Sequence, residues 1–399
     1  MGDLVVGAFP RAGPSGPAGP RHRGGAPAWS QQRRGWWLLW SGCPGLGWSR
    51  LHQLEAAFGS LELAWFVPQG RLIQLPGFGP GLVARIEAFR RRWGSDPWRG
   101  GGPPRPACRP VILPGDPAYP QALAQLERPP LGLYWQGRGS LWPQLRHRRA
   151  IAVVGTRRPS LHGLSMARAL GAALAAAGWP VVSGLAEGID AAAHRGCLER
   201  GGWPVAVVGT PLERVYPRHH GPLQTEVGAR GLLLTEQAPG AAVQRGNFAA
   251  RNRLLVALSQ AVVVVECPHG SGALHSADLA WQEGLPLWVV PGDAGKASAA
   301  GSNRLLVRGA TPLLEPADLI SQLGHGPLAA AAAAGCPSPP AAAGSASDQV
   351  LLAALGAGAS LEQLGGSLGL PVAELSSRLL RLELAGRIRA EPGLCWRPL

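Results

Sequence analysis

The sequence predicts an α/β fold in which a doubly wound, mostly parallel sheet carries a smaller helical part at each end. Six short apolar runs alternate with helix-like stretches in the middle of the chain. Each run is apolar along its whole length, which is typical of a parallel strand covered on both faces. A regular alternation of strand and helix is typical of a doubly wound sheet. The runs are Ala150–Gly155, Pro180–Gly184, Pro204–Gly209, Leu232–Thr235, Ala261–Glu266 and Leu285–Val290.

Composition divides the rest of the chain around this α/β domain, which we place at residues 111–322. Residues 1–35 are rich in Gly, Pro, Arg and Ser, so we expect a disordered basic extension there. Gly-, Pro- and Ala-rich stretches predict two linkers, and helical periodicity predicts two small folded domains. These parts are a helical domain at 36–93, a linker at 94–110, a linker at 323–346 and a C-terminal domain at 347–399.

The formal charge of +14 suggests a nucleic-acid partner, but its distribution limits that argument. Residues 1–150 hold 19 arginines against 7 acidic residues, a net of +12. The α/β domain is close to neutral by comparison. Local clustering of arginines, rather than bulk charge, would therefore have to make it bind DNA.

Six cysteines are scattered along the chain, and none belongs to a C-x-x-C pair. That pattern fits a reduced cytoplasm and predicts neither a disulfide framework nor a metal site. The chain has no run of about 18 apolar residues, so we expect no membrane-spanning helix. Residues 4–54 contain several Arg but no Asp or Glu, which leaves an organelle transit peptide as the alternative to a disordered extension.

Small and basic residues follow the first predicted strand, at the edge where an open parallel sheet binds its ligands. Gly155 permits a tight turn, Thr156 offers a hydroxyl, and Arg157 and Arg158 offer charged donors to a phosphate. The amino end of the next helix would add further donors. The segment is neither the dinucleotide fingerprint nor a P-loop. The alternative is an ordinary turn with two solvated arginines.

The turn after the second strand holds Ser183, Gly184 and Gly188, a backbone-lined concavity suited to anions. Asp190 either belongs to that site or caps the following helix. His194 lies one turn later, where a structural role is the alternative to a role in the site.

Later strand ends add an aromatic ring and more donors. A stacking face beside arginines is the combination used by proteins that bind single strands, because every base has a π-face. The alternative places the ring in the core and the arginines in solvent. The residues concerned are Phe248, Arg251, Asn252, Arg253, Ser271 and Gly272.

Together these segments resemble the DNA-processing protein A family, DprA/Smf, over residues 111–322. The order of the motifs carries the resemblance: V-V-G-T-R-R-P-S, S-G-L-A-E-G-I-D-A-A-A-H, V-Y-P, R-N-R, S-G-A-L, V-P-G and G-S-N. One position departs from the family pattern, since Glu187 stands where the family usually has Arg. A carboxylate near phosphates is repulsive and would weaken DNA binding.

The resemblance implies an extended Rossmann-like domain that protects single-stranded DNA in a basic pocket and loads the recombinase RecA during natural transformation. It also implies a homodimer in the cytoplasm, with no catalytic turnover and no cofactor. The DNA-contacting positions that it implies are Gly155, Thr156, Arg157, Arg158, Ser183, Gly184, Gly188, Phe248, Arg251, Asn252, Arg253, Ser271 and Gly272.

The flanking domains suggest further nucleic-acid contacts. Residues 44–47 and 75–79 each resemble the hairpin of a helix–hairpin–helix or SAM-like unit, which contacts phosphates without reading sequence. A small helical bundle used for packing is the alternative. Residues 347–399 resemble the winged helix of the same family, with Val372–Glu383 as the would-be recognition helix. Because the charge of this domain is zero, we favour protein contact or weak duplex contact over sequence reading.

A nucleotide hydrolase is the competing function, because phosphoribohydrolases resemble this Rossmann-like fold. Those enzymes carry P-G-G-x-G-T with acidic residues close by. Here the matching region, residues 269–273, lacks that form, although Asp190, Glu236 and Glu266 offer an acid cluster. A redox Rossmann enzyme is a weaker alternative, since the dinucleotide fingerprint is absent.

Overall fold

The computed structural model describes residues 29–98, 110–333, 346–356, 358–384, 386–391 and 395–399. Of the disordered extension predicted at 1–35, residues 1–28 lie outside the described residues, and the rest is wrong because a helix begins at Gln31. Residues 99–109 and 334–345 of the two predicted linkers also lie outside, and the described part of the second linker contains a helix at Ala329–Ala333.

Five helices form the N-terminal domain. They are α1 (Gln31–Ser41), α2 (Trp48–Phe58), α3 (Leu61–Phe66), α4 (Gln69–Leu72) and α5 (Pro80–Trp93). The two predicted glycine hairpins lie between α1 and α2 and between α4 and α5. Helix α1 begins at Gln31, earlier than the predicted start of the domain at residue 36. Ser30 caps it by accepting a hydrogen bond from the Arg33 amide, and Trp29 packs against Trp37.

A nine-stranded sheet forms the α/β domain, in the order β1-β2-β6-β5-β4-β3-β7-β8-β9. The seven strands β3 to β9 are parallel, and β2 pairs antiparallel with both β6 and the edge strand β1. The predicted doubly wound, mostly parallel sheet is confirmed. The strands are β1 (Val111–Ile112), β2 (Leu133–Gly137), β3 (Ile151–Val154), β4 (Val181–Ser183), β5 (Pro204–Val207), β6 (Leu232–Thr235), β7 (Ala261–Val264), β8 (Leu287–Val289) and β9 (Thr311–Pro312).

Helices cover both faces of this sheet. In β3, Ile151 and Val153 belong to one apolar cluster while Ala152 and Val154 belong to another, so the strand is buried on both sides. The helices are α6 (Gln121–Ala124), α7 (Trp142–Arg146), α8 (Leu161–Ala176), α9 (Ile189–Glu199), α10 (Gly221–Arg230), α11 (Arg245–Ala250), α12 (Asn252–Ala257), α13 (Gly272–Gln282), α14 (Ala300–Val307), α15 (Pro316–Leu323) and α16 (Ala329–Ala333).

The chain crosses from β3 to β4 on one side and later places β7 on the other side of β3. In open α/β sheets such a reversal opens a crevice beyond the carboxyl ends of the two central strands. The loops after β3 and β7 therefore form the walls of the site described below.

The C-terminal domain is a winged helix, as predicted. It contains α17 (Ala346–Leu355), α18 (Leu361–Leu368) and α19 (Val372–Leu384), with a small sheet of β10 (Ala359–Ser360), β12 (Cys395–Pro398) and β11 (Ile388–Glu391) in that order. Ser360 is the N-cap of α18 and forms a capping box with Gln363.

The would-be recognition helix α19 packs against the α/β domain. The Glu383 carboxylate accepts hydrogen bonds from the Ser140 hydroxyl at 2.7 Å and from the Ser140 amide at 3.3 Å. Arg138 donates to the Glu383 carbonyl oxygen at 2.7 Å. Part of this helix therefore serves as an interface within the chain.

Candidate nucleic-acid interface

A cleft of about 630 Å³ opens at the carboxyl ends of β3 and β7. The loops after β3, β4 and β7 form its walls, together with α11 and the starts of α12 and α13. We call this surface the cleft. Nine of the thirteen residues implied by the family resemblance line it: Gly155, Thr156, Arg157, Arg158, Phe248, Arg251, Asn252, Ser271 and Gly272.

Three exposed arginines, Arg157, Arg158 and Arg245, lie on the walls of the cleft. None of them has an ion-pair partner in the part of the chain that the structure describes. Their charges are therefore not neutralised by a fixed carboxylate, and they present a basic surface to an anionic ligand. The role of Arg245 was missed from the sequence, although it precedes Phe248 by three residues and shares a helix face with it.

Arg251 forms the floor of the cleft and is only 4% exposed. Its Nη1 donates to the carbonyl oxygen of Val207 at 2.6 Å, and its Nε has no partner among the described residues. Burial lowers the pKa of Arg251 to about 10, an effect that the nearby Asp190 partly offsets. The guanidinium is therefore charged at neutral pH, and one of its donors remains open.

Asp190 orders the turn beneath Arg251. Its carboxylate accepts from the amides of Gly184 at 3.1 Å and Ala186 at 3.4 Å. Burial raises the pKa of Asp190, and the charge of Arg251 opposes that rise. The capping interpretation of this residue is wrong, because α9 has no side-chain cap and the carboxylate binds amides of the preceding turn instead. Asp190 does line the cleft.

Two predicted ligand residues shape the loops without lining the cleft. The Ser183 hydroxyl is buried and donates to the carbonyl of Val153 at 2.6 Å. Gly188 has a φ of 79°, and a Cβ there would lie 2.4 Å from the Thr156 carbonyl oxygen. Only glycine fits that position without strain. Their place in the structure indicates positioning roles.

Gly184 lies beside the cleft rather than in it. It lines a crevice of about 40 Å³ that shares several residues with the cleft. We call this surface the crevice; its residues are Arg157, Gly184, Ala186, Glu187, Tyr216, Pro217, Phe248 and Arg251.

Arg253 lies outside both the cleft and the crevice. Its guanidinium pairs with Glu236 at 2.6 Å, and its Nε donates to the carbonyl of Arg128 at 3.0 Å. The sequence predicted a helix from about residue 250, and the backbone stays helical through Arg251, which joins α11 to α12 with a φ of −64° and a ψ of −26°. Two residues of helix turn the side-chain direction by about 200°, so Arg251 points to the cleft whereas Arg253 points to the loop before β2. We therefore leave Arg253 out of the proposed contact set.

The helix that follows Arg158 does not present the free amino end that the sequence suggested. Glu266, which follows β7, accepts hydrogen bonds from the Ser160 amide at 3.0 Å and from the Ser160 hydroxyl at 2.8 Å. Burial alone would raise the pKa of Glu266, but hydrogen bonds from Ser298 and Ser160 and the charge of Lys296 hold it below the usual value. A protein carboxylate thus occupies the place expected for a phosphate at α8.

Helix α13 supplies the amino end that does face the cleft. Ser271 caps it by accepting from the Ala273 amide at 3.3 Å, and Asn252 donates to the Gly272 carbonyl at 3.2 Å. Ser276, one turn into the helix, lines the cleft with a buried hydroxyl that has no partner among the described residues. The helix end and this hydroxyl are placed to donate to an anion or to a base edge.

Two aromatic rings meet at the rim between the cleft and the crevice. Phe248 and Tyr216 have ring centroids 4.7 Å apart at 44°, and the Arg157 guanidinium carbon lies 5.7 Å from the Phe248 centroid. Phe248 is thus a partly exposed stacking face beside a cation, rather than a core residue. Glu187, which also lines the crevice, lies 3.4 Å from His219.

His194 is fully buried and does not reach the cleft. Burial lowers the pKa of His194 to about 4, so the ring is neutral at physiological pH. The structural interpretation of this histidine is the correct one.

Comparison with known proteins places this geometry in a family. A family model described as DNA recombination-mediator protein A matches residues 110–324, which is more than half of the chain. The chain belongs to this family. A second model, described as the DprA winged helix domain, matches residues 336–393. The resemblance found in the sequence motifs is therefore confirmed.

Individual members of the DprA family are similar to the chain over most of its length. Protein Smf of Synechocystis is 35% identical over 305 residues, which is 75% of this chain and 75% of that protein. The DNA processing protein DprA of Bacillus subtilis is 32% identical over 51% of this chain and 68% of its own length. The crystal structure of DprA from Streptococcus pneumoniae has a TM-score of 0.58 and 25% identity, covering 72% of this chain and 96% of that one.

The described residues contain neither a metal-binding cluster nor a membrane-spanning helix. No group of three or more His, Cys, Asp or Glu side chains there is arranged to hold a metal ion. Within the same ranges, no helix combines the length and the apolarity needed to cross a membrane.

Proposed function

We propose that this protein binds single-stranded DNA in the cleft and hands it to the recombinase RecA during natural transformation, without chemical turnover. One observation carries the proposal: three arginines without ion-pair partners, a buried fourth arginine and a partly exposed aromatic ring converge on one cleft. In this proposal the protein acts in the cytoplasm.

Unpaired polynucleotide fits this surface better than duplex. Stacking on Phe248 requires a base whose face is free, which a base pair within a duplex does not offer. Arg157 lies beside that ring, so a phosphate attached to a stacked base would meet a guanidinium. The contacts involve backbone charge and a π-face rather than base edges, so we expect little sequence preference.

Membership of a family of recombination mediators supports the hand-over to RecA, and the homodimer rests on the same resemblance. Both are separable from DNA binding by experiment. We expect light scattering to give a mass twice that of one chain. We also expect the protein to accelerate assembly of RecA on single strands that are coated with a single-strand-binding protein.

Fluorescence anisotropy with a labelled oligo-dT tests the DNA-binding part of the proposal. We expect the combined substitution Arg157→Ala, Arg158→Ala and Arg245→Ala to weaken binding by about a hundredfold or more, because three phosphate contacts are lost. Arg230→Ala is the matched control. Arg230 is a half-buried arginine at the end of α10, where it pairs with Glu226. It directly precedes β6 and therefore lies at the opposite edge of the sheet. Equal affinity of the triple variant and the control would contradict the proposal.

The hydrolase alternative has less support from the geometry. Glu236 pairs with Arg253, Glu266 caps α8, and Asp190 accepts backbone amides, so each candidate acid already has a separate partner. Incubation of the purified protein with AMP should release no adenine. Release of adenine by a protein that fails to bind oligo-dT would support the hydrolase instead.

A further inference from the structure

Tyr216 is an exposed aromatic residue for which neither the fold nor the cleft accounts. The residue is 47% exposed, and within residues 110–333 no other Phe, Tyr or Trp is exposed. It lines the crevice but not the cleft. An aromatic ring left in water at the border of a basic surface is typical of a ligand-contacting position.

The crevice connects Tyr216 to the cleft. Arg157, Phe248 and Arg251 line both surfaces, so the two form one continuous path around Phe248. The crevice itself, at about 40 Å³, is too small to hold a nucleobase. A ligand that leaves the cleft over Phe248 therefore has to cross the rim, where the outer face of Tyr216 is the next free surface.

The two rings are placed for successive bases. Their centroids are 4.7 Å apart and the planes are tilted by 44°. At that spacing no base fits between them, so each ring offers only its outer face. Phe248 is the half-buried ring of the pair, beside Arg157, and Tyr216 is the more exposed ring.

Charges of both signs line the crevice. Arg157 and Glu187 are among its residues, and Glu187 lies 3.4 Å from His219. A guanidinium attracts phosphate and a carboxylate repels it, so we expect the sugar–phosphate backbone to lie nearer to Arg157 than to Glu187.

We propose that Tyr216 is a second base-stacking position, which extends the single-strand path out of the cleft and across the loop after β5. The proposal rests on the proposed function and names the course of the bound strand beyond it. It predicts a dependence on DNA length. Oligonucleotides that fill only the cleft do not reach Tyr216, whereas longer strands stack a base on it.

Anisotropy with a series of oligo-dT lengths tests this path, using Tyr216→Ala, Tyr216→Phe and Phe248→Ala. We expect Tyr216→Ala to bind strands of about 4 nucleotides like the wild type and longer strands about tenfold more weakly. Tyr216→Phe should keep wild-type affinity at every length because the π-face remains. Phe248→Ala should weaken all lengths. Thermal unfolding that matches the wild type would establish that Tyr216→Ala is folded.

The outcomes separate the path from the function. If the triple arginine variant loses binding but Tyr216→Ala binds every length like the wild type, the path is wrong and the cleft stands. An equal loss at all lengths would mean that Tyr216 only supports Phe248, which also overturns the path. If the arginine variants bind like the wild type, the proposed function itself fails. Ultraviolet crosslinking to a strand that contains 5-iodouracil should label the peptide with Tyr216 only for the longer strands.

Discussion

The Arg251 guanidinium fills the space in which a side chain at Gly184 would begin. A Cβ at position 184 would lie 1.6 Å from Nη1 of Arg251 and 2.1 Å from its Nη2. The turn after β4 and the residue that joins α11 to α12 therefore depend on each other. A glycine in one loop allows a cation from another segment to reach the floor of the cleft.

Gly184→Ala should displace Arg251 and weaken DNA binding. Arg251 cannot retain its hydrogen bond to the Val207 carbonyl while avoiding the new methyl group. We expect a loss of about 1–3 kcal/mol in unfolding free energy, as is usual for overpacking, and about a tenfold loss in affinity for oligo-dT. Urea unfolding and anisotropy measure the two effects. Gly221→Ala is the control, since nothing lies within 4 Å of its Cβ position. Wild-type affinity in Gly184→Ala would refute the coupling.

Arg253→Ala should reduce stability but leave DNA binding intact. The variant loses a partly buried ion pair with Glu236 and an exposed hydrogen bond to the Arg128 carbonyl. We expect unfolding free energy to fall by about 1–3 kcal/mol. Anisotropy at a temperature where the variant is folded should give wild-type affinity. A specific loss of affinity comparable with that of Arg157→Ala would return Arg253 to the contact set.

The contrast between Arg251 and Arg253 marks the limit of the sequence argument. Both follow Phe248 in one basic segment, and periodicity predicted a continuous helix there. The two side chains lie on opposite sides of the helical backbone, and the packing of Arg251 against Val207 and Gly184 decides which side faces the cleft. Local propensity carries no information about such contacts.

The central strands were predictable because apolar runs buried on both faces are distinctive. Strands β1 and β9, at the two edges of the sheet, have two residues each, too few to give a pattern, and the antiparallel strand β2 was also missed. Glu266 illustrates a second limit. It follows β7 in sequence but caps α8 after β3, because those strands are neighbours in the sheet.

Replacing Glu187 should strengthen DNA binding. Its carboxylate borders the crevice beside Arg157, where it opposes an approaching phosphate. We expect Glu187→Gln to bind oligo-dT a few-fold more tightly. Glu187→Arg should bind more tightly still, with the salt slope steeper by about one unit. Glu226→Arg is a charge-matched control on α10, remote from the cleft. Equal gains in both arginine variants would indicate a general charge effect only.

Glu383 should make the docking of the winged helix sensitive to pH. Burial raises the pKa of this carboxyl in the folded state, while hydrogen bonds from Ser140 oppose the rise. Its contribution to stability is therefore largest below the pKa of an unfolded glutamate and is lost as pH rises through the folded pKa. Glu383→Gln should remove that dependence and be the more stable protein at neutral pH. Urea unfolding midpoints of the wild type and Glu383→Gln, measured from below the pKa of an unfolded glutamate up to neutral pH, test this pH dependence. Parallel curves of midpoint against pH for the two proteins would contradict it.

The salt dependence of single-strand binding tests the central claim most directly. A strand held by Arg157, Arg158 and Arg245 releases counterions as each phosphate is neutralised. The slope of log Kobs against log salt for oligo-dT should therefore be shallower by about two units in the triple alanine variant than in the wild type. Arg230→Ala should keep the wild-type slope. Identical slopes in the wild type and the triple variant would mean that these guanidinium groups do not hold the DNA, and the account of the cleft would be wrong.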